Sequence, residues 1–247
     1  MVTIRTIEPN AAPEKIPFCE TETGRRMLNL FTYCQDAPEL GLITGKPGVG
    51  KSTAARHYVR SAPGRYLVTA SPATSALVPC LQRIAEAIGA HTKLSGAGAL
   101  AAAITTALEA EPQSPMLIVD EAHHLSDDSI EELRILFDTV PMGMVLVAGR
   151  QLRDRLDGNP KQWSQLTSRL SVGLEVDGPL PADVDAICSH HGIDDRDART
   201  TLRRAAHHPG ALRTVTKLIG VAAKLAGTAP IVAAHVKDAA HARGLTY

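Results

Sequence analysis

A parallel α/β sheet followed by a small all-helical domain is the fold class this sequence predicts, and three features predict it. Short apolar runs bounded by turn residues alternate with helix-period segments through residues 24–177, the pattern of strands buried on both faces by crossover helices. Gly178-Pro179-Leu180-Pro181 then interrupts the chain, and only helical periodicity follows through 178–247. The 247 residues are 44% hydrophobic and 21% charged, enough for one large domain with an appendage and unlike disordered, collagenous or coiled-coil chains.

The elements follow in order. Residues 1–23 hold Pro13 and Pro17 among mixed charges without periodicity and read as an extended arm. Met27, Leu28, Leu30 and Phe31 recur at helical spacing within 24–33, and Leu40-Gly41-Leu42-Ile43-Thr44 is the first buried strand. A helix over 51–59, a strand over 66–70 and helices around 75–88 and 98–108 come next. The strand over 116–120 leads to Ser126, a helix cap followed by Asp127 and Asp128 at the positive helix end, with Leu125 and Ile130 spaced as a hydrophobic staple. That helix runs to about Phe137, and strands over 143–148 and 172–176 complete the sheet. Four helices are expected beyond 178. The clearest carries Leu212, Val215, Leu218, Ile219, Ala222 and Leu225 on one face and Arg213, Lys217 and Lys224 on another.

Charge and composition limit the function. Lysine plus arginine total 26 and aspartate plus glutamate total 26, so attraction to nucleic acid must come from local patches and not from a global positive field. Aromatic residues are 3% of the chain, too few for a base-stacking platform. Four scattered cysteines, Cys19, Cys34, Cys80 and Cys188, fit neither a disulfide framework nor a zinc ribbon. With no signal-peptide core and no apolar run long enough to cross a membrane, a soluble cytoplasmic protein is expected.

Two motifs carry chemistry. Gly45-Lys46-Pro47-Gly48-Val49-Gly50-Lys51-Ser52 is Gly-x4-Gly-Lys-Ser between a predicted strand and helix, followed by Thr53. Its glycines let backbone amides wrap phosphates, Lys51 reaches the β and γ oxygens, and the Ser52 hydroxyl is placed to ligate Mg²⁺. This makes ATP and Mg²⁺ the expected substrate and cofactor. Asp120-Glu121 ends an apolar strand at the crevice of a parallel sheet. There Asp120 would complete the Mg²⁺ shell, and Glu121 would orient and deprotonate water, which separates a hydrolase from a small-molecule kinase.

These motifs, with Leu166-Thr167-Ser168-Arg169 before the last strand and Gly210-Ala211-Leu212-Arg213 in the helical region, resemble the AAA+ ATPases. Within them the chain resembles the phage Mu B-type transposition ATPases over roughly 20–225, on those segments and on Gly48-Val49-Gly50-Lys51-Ser52-Thr53-Ala54-Ala55-Arg56-His57-Tyr58. The resemblance implies a P-loop AAA+ core with a C-terminal helical lid that forms filaments or rings on double-stranded DNA and presents it to a transposase. It further implies that Arg169 reaches a neighbouring subunit's ATP and that Arg213 senses nucleotide from the lid, although either arginine would also suit a solvated surface. Thr92 and Lys93, in the loop between the two helices before the acidic strand, are the expected DNA contacts, with Arg196, Arg199 and Arg203 as a second basic stripe. A related ATPase serving secretion or signalling through protein partners is the alternative.

Two departures from the family pattern stand out. Members usually carry a polar sensor such as Asn at the end of the strand after the acidic pair, where this chain has Ala148-Gly149-Arg150-Gln151. Arg150 or Gln151 must then substitute, or the sensor is lost. The best-known type also has a further N-terminal DNA-binding domain, for which the arm before Gly24 is short, so DNA contact is expected from the ATPase module. The pairs His123-His124, His190-His191 and His207-His208 lack the i, i+4 spacing of helical zinc ligands and suggest no metal.

Overall fold

A computed structural model describes residues 18–90, 93 and 96–245. Most of the predicted arm and Thr92 lie outside the described residues. Five strands, β1 (Leu40–Gly45), β2 (Arg65–Thr69), β3 (Met116–Asp120), β4 (Gly143–Ala148) and β5 (Leu170–Val176), form one parallel sheet in the order β2-β3-β4-β1-β5. The expected strand over 66–70 is displaced by one residue, and β5 starts two residues earlier than its apolar pattern suggests.

The period-2 geometry of a strand divides its side chains between two cores. Leu117, Val119, Met144 and Leu146 enter a cluster with residues of α3 (Leu77–Ile88), α4 (Ala97–Glu109) and α5 (Asp127–Thr139). Met116, Ile118, Val145 and Val147 enter the opposite cluster with α1 (Glu22–Asp36) and α2 (Lys51–Arg60). Each fully buried branched residue contributes about 1.5–3 kcal/mol, which explains why the central strands are continuous apolar runs. Edge strand β5 alternates half-buried and exposed positions instead.

Local signals set the helix starts. The Ser126 hydroxyl accepts from the Ser129 amide at 3.2 Å, the cap its sequence context predicts. Between β4 and β5 lie two helices with no clear sequence signal, α6 (Arg150–Gly158) and α7 (Ser164–Thr167). Leu152 and Leu156 are buried on α6, but two apolar positions among six charged or polar ones made its periodicity faint.

After β5 come α8 (Pro181–His190), α9 (Arg196–Ala205), α10 (Ala211–Ala226) and α11 (Ala233–Ala242), which enclose their own core around Val184, Leu202, Val215, Leu218 and Val236. One buried carboxylate links this unit to the sheet. Asp183 accepts from the Thr23 amide at 2.8 Å and the Thr23 hydroxyl at 2.6 Å, and also from the Leu180 amide at 2.8 Å. A single anion thus satisfies orphan donors at the N-termini of both α1 and α8, where the helix dipoles favour it. Asp183→Ala leaves these buried donors unpaired and is expected to cost about 3 kcal/mol in denaturant unfolding; unchanged stability would refute the linking role.

Candidate active site

The strand-to-helix loop after β1 opens onto a cavity of about 500 Å³ between α1 and α2 on one side and α8 and α10 on the other. Its floor is formed by Pro47, Gly48, Val49, Gly50, Lys51, Ser52 and Thr53. Gly45 adopts φ +154 and a Cβ there would meet the Val176 carbonyl oxygen at 2.2 Å, so the loop leaves β1 flush against β5. Gly48 is more constrained. At φ +83 it lies in the left-handed region, and a Cβ would sit 2.0 Å from the carbonyl oxygen of Gly210.

That approach brings α10 onto the loop. Gly210 at φ +95 and Ala211 at φ +46 turn the chain into the helix, and the Arg213 amide donates to the Gly48 carbonyl at 3.3 Å while sharing its proton with Gly210. Arg213 lines the cavity. Two helix N-termini, those of α2 and α10, therefore converge on one space, which favours anions.

Lys51 is buried and donates to the carbonyls of Gly45 at 2.8 Å and Lys46 at 2.9 Å. Burial lowers its pKa from the usual 10.5, opposed by Glu121 and Asp120 and assisted by Arg213. The ammonium is thus held by exchangeable carbonyl bonds beside the place where phosphates would enter. Asp120 is buried at the end of β3, and its Oδ1 accepts from the Glu121 amide at 3.0 Å. Glu121 takes a left-handed backbone, φ 55 and ψ 33, and its side chain lines the cavity. Such a conformation in a non-glycine residue costs on the order of 1–3 kcal/mol and is common where a side chain must be aimed at a ligand.

The other end of the cavity was not legible in the sequence. Phe18 and Cys19 line it from the chain before α1, and Ile187, His190 and His191 line it from α8. Phe18 stacks on His57 with ring centroids 3.8 Å apart. His190 and His191 are therefore cavity residues, and burial followed by the neighbouring His190 lowers the His191 pKa. Only contacts between distant segments identify these residues, and no local spacing encodes such contacts. Among the described residues no group of three or more potential metal ligands gathers, and the six paired histidines do not form one.

Other expected residues lie elsewhere. Arg169 does not line the cavity; its guanidinium pairs with Asp138 and donates to the Gln165 carbonyl at 2.8 Å. Lys93 is exposed between α3 and α4. Arg199 donates to the Ile193 carbonyl at 2.7 Å, and Arg203 grips Asp185 in a bidentate pair at 2.7–2.9 Å. The basic stripe on α9 is thus partly engaged in packing its own domain. Arg150 turns away to Glu175 and Asp177 at 2.7 and 2.8 Å.

A Gly-x4-Gly-Lys-Ser loop between strand and helix, an acidic strand end and a helical lid on the phosphate loop define an AAA+ ATPase. Residues 35–156 match the AAA domain model, and residues 168–242 match the C-terminal domain of the Mu B transposition protein. The ATP-dependent target DNA activator B of Escherichia phage Mu is 29% identical over 216 residues, 87% of this chain and 69% of that protein. The Mu-like prophage FluMu DNA transposition protein B of Haemophilus influenzae is 29% identical over 217 residues, 86% of this chain and 75% of that one. In fold, the ORC2 protein of Aeropyrum pernix superimposes with a TM-score of 0.69 at 15% identity, over 95% of this chain and 70% of that chain. Over these two stretches the chain resembles the AAA+ ATPases and, within them, the Mu B transposition proteins.

The close approach of Gly48 to Gly210 generates a direct test. Gly48→Ala forces loop and lid apart, and is expected to reduce nucleotide affinity at least tenfold, read by titration of a fluorescent ATP analogue, while the far-UV circular dichroism is retained. Undiminished affinity would show that the contact does not shape the site.

Proposed function

We propose that the protein binds ATP between sheet and lid, assembles on duplex DNA without sequence preference, and delivers that DNA to a transposase. The observation that carries this reading is the lid helix α10 seated on the phosphate loop, because the segment that completes the nucleotide site is the one that matches the Mu B C-terminal domain.

The chemistry follows from the residues. Amides of Gly48 to Thr53 surround the triphosphate, and Lys51 exchanges its carbonyl partners for β and γ oxygens. Glu121 accepts a proton from a water whose oxygen attacks the γ phosphorus; the bond to the bridging oxygen breaks and its electrons leave with ADP. The hard oxygens of Ser52, lining the cavity, and Asp120, at the strand end, suit Mg²⁺. Held there, Mg²⁺ would neutralise charge on the phosphates. Arg213 contributes a positive charge from the lid.

Arg169 acts on a neighbour in this reading. It is one-third exposed and absent from its own chain's cavity, as a residue serving a second subunit must be. The pair with Asp138 opens when subunits meet. Mixing Arg169→Ala with Lys51→Ala protein is expected to restore part of the hydrolysis that each lacks, since one binds ATP and the other supplies the arginine. Mixtures that co-assemble and remain as inactive as the separate proteins would contradict action in trans.

DNA contact falls to Thr92 and Lys93. With a formal net charge of zero, a few contacts per subunit, repeated through assembly, must supply the attraction. ATP-bound protein is expected to coat duplexes of unrelated sequence. Lys93→Ala should lower the slope of log affinity against log salt by about one unit per subunit without altering ATP affinity. A salt titration by fluorescence anisotropy checks this. An unchanged slope would remove Lys93 from the interface, and no binding by the wild type would favour a protein-partner ATPase.

A further inference from the structure

The end of β4 poses a chemical problem. The two side chains expected to stand in for a polar sensor there are occupied or turned aside. Arg150 is held by Glu175 and Asp177 on the β5 side, and the Gln151 amide folds back over Gly149, its Oε1 2.1 Å from where a Gly149 Cβ would be. What the end of β4 offers toward the β3 side is the Gly149 amide, the N-cap amide of α6. Its proton is taken by His123 Nδ1, 3.4 Å away.

The same Nδ1 stands 3.4 Å from Glu121 Oε2. His123 sits in the short 3-10 turn over Ala122–His124 directly after the left-handed Glu121, with its ring 4.2 Å from that of His124 and its side chain only 19% exposed. Burial, followed by His124, lowers its pKa from 6.5; Glu121 and Asp120 oppose this and Lys51 adds to it. The imidazole is therefore neutral at neutral pH, and because the Gly149 N–H occupies the Nδ1 lone pair, the ring proton resides on Nε2.

We infer that His123 is the positioning residue for Glu121, coupling its carboxylate to the end of β4 in place of a side chain on β4 itself. The inference rests on the reading of Glu121 as the base. An unprotonated Nδ1 cannot donate to Oε2, so the two acceptors repel at this distance. Glu121 is thereby confined on one side by the ring and kept with its lone pairs free for water in the cavity. Movement of the β4 end would move the ring through the Gly149 bond, and the ring would move the base. His123 does not line the cavity, as Glu121 does; it acts through Glu121.

The test uses the full chain with saturating duplex DNA, measuring kcat and KM for ATP, nucleotide affinity, and thermal unfolding. His123→Asn places an acceptor at the Nδ1 position, His123→Gln places its amide near Nε2 instead, and His123→Leu removes both. His123→Leu and His123→Gln are expected to lower kcat about tenfold with nucleotide affinity within twofold of wild type, and His123→Asn to stay within threefold of wild-type kcat. Arg150→Ala should leave kcat unchanged. A merely capping role would lower the unfolding temperature of the Gln and Leu variants, and spare that of the Asn variant, without splitting kcat from affinity. Wild-type kcat in His123→Gln, equal losses in the Asn and Gln variants, or a tenfold loss in Arg150→Ala would overturn the inference. Glu121→Gln separates the two levels. An inactive Glu121→Gln beside an unaffected His123→Gln sinks only the role of His123, whereas full activity in Glu121→Gln sinks the reading of the base and the inference with it.

Discussion

The carbonyl of Gly210 rests where any side chain on Gly48 would have to be, and the cavity over the phosphate loop takes its shape from that contact. Gly48 must take a left-handed backbone with no Cβ, and Gly210 and Ala211 must both turn through positive φ, so that the first turn of α10 meets the loop. Each condition is unfavourable for an ordinary residue, and together they fix the lid over the phosphate loop. Asp183 secures the same arrangement from the other side by capping α1 and α8 at once. The lid is thus tied to the sheet at two points flanking the cavity. The lid's position on the phosphate loop is set by the backbone itself, through Gly48, Gly210 and the Arg213 amide.

The parallel sheet, its helical coverings and the four helices after it were legible because strands buried on both faces are unbroken apolar runs, as in Met116 to Val119 and Gly143 to Ala148. The phosphate loop and the acidic pair were legible because their chemistry demands fixed residue types at fixed spacing. Helix α6 was not, since its burial rests on Leu152 and Leu156 alone. The far wall of the cavity was equally hidden: Phe18, Ile187 and His190 come together only through folding. His123 showed a related limit. Adjacent histidines read only as a poor metal site, and the short turn that sets one ring between Glu121 and Gly149 leaves no periodic trace.

The arginines were the hardest residues to assign. Sequence shows a basic stripe on α9 and a candidate sensor at Arg150, yet Arg203, Arg199 and Arg150 each find acidic or carbonyl partners close by. Exposed pairs of this kind contribute little to stability, on the order of 0–1 kcal/mol each. Their effect is to reduce the number of positive groups available to phosphates. In a chain of zero net charge the proposed DNA contact therefore calls for assembly, and not a single subunit, to supply enough phosphate contacts.

A structure of the protein bound to Mg²⁺ and a slowly hydrolysed ATP analogue tests the central claim most directly. The account expects Lys51 to leave the Gly45 and Lys46 carbonyls for the β and γ oxygens, with Gly48 still against Gly210 and Arg213 facing the phosphates. Triphosphate bound with the lid withdrawn from Gly48, and Lys51 still on its carbonyl partners, would contradict it.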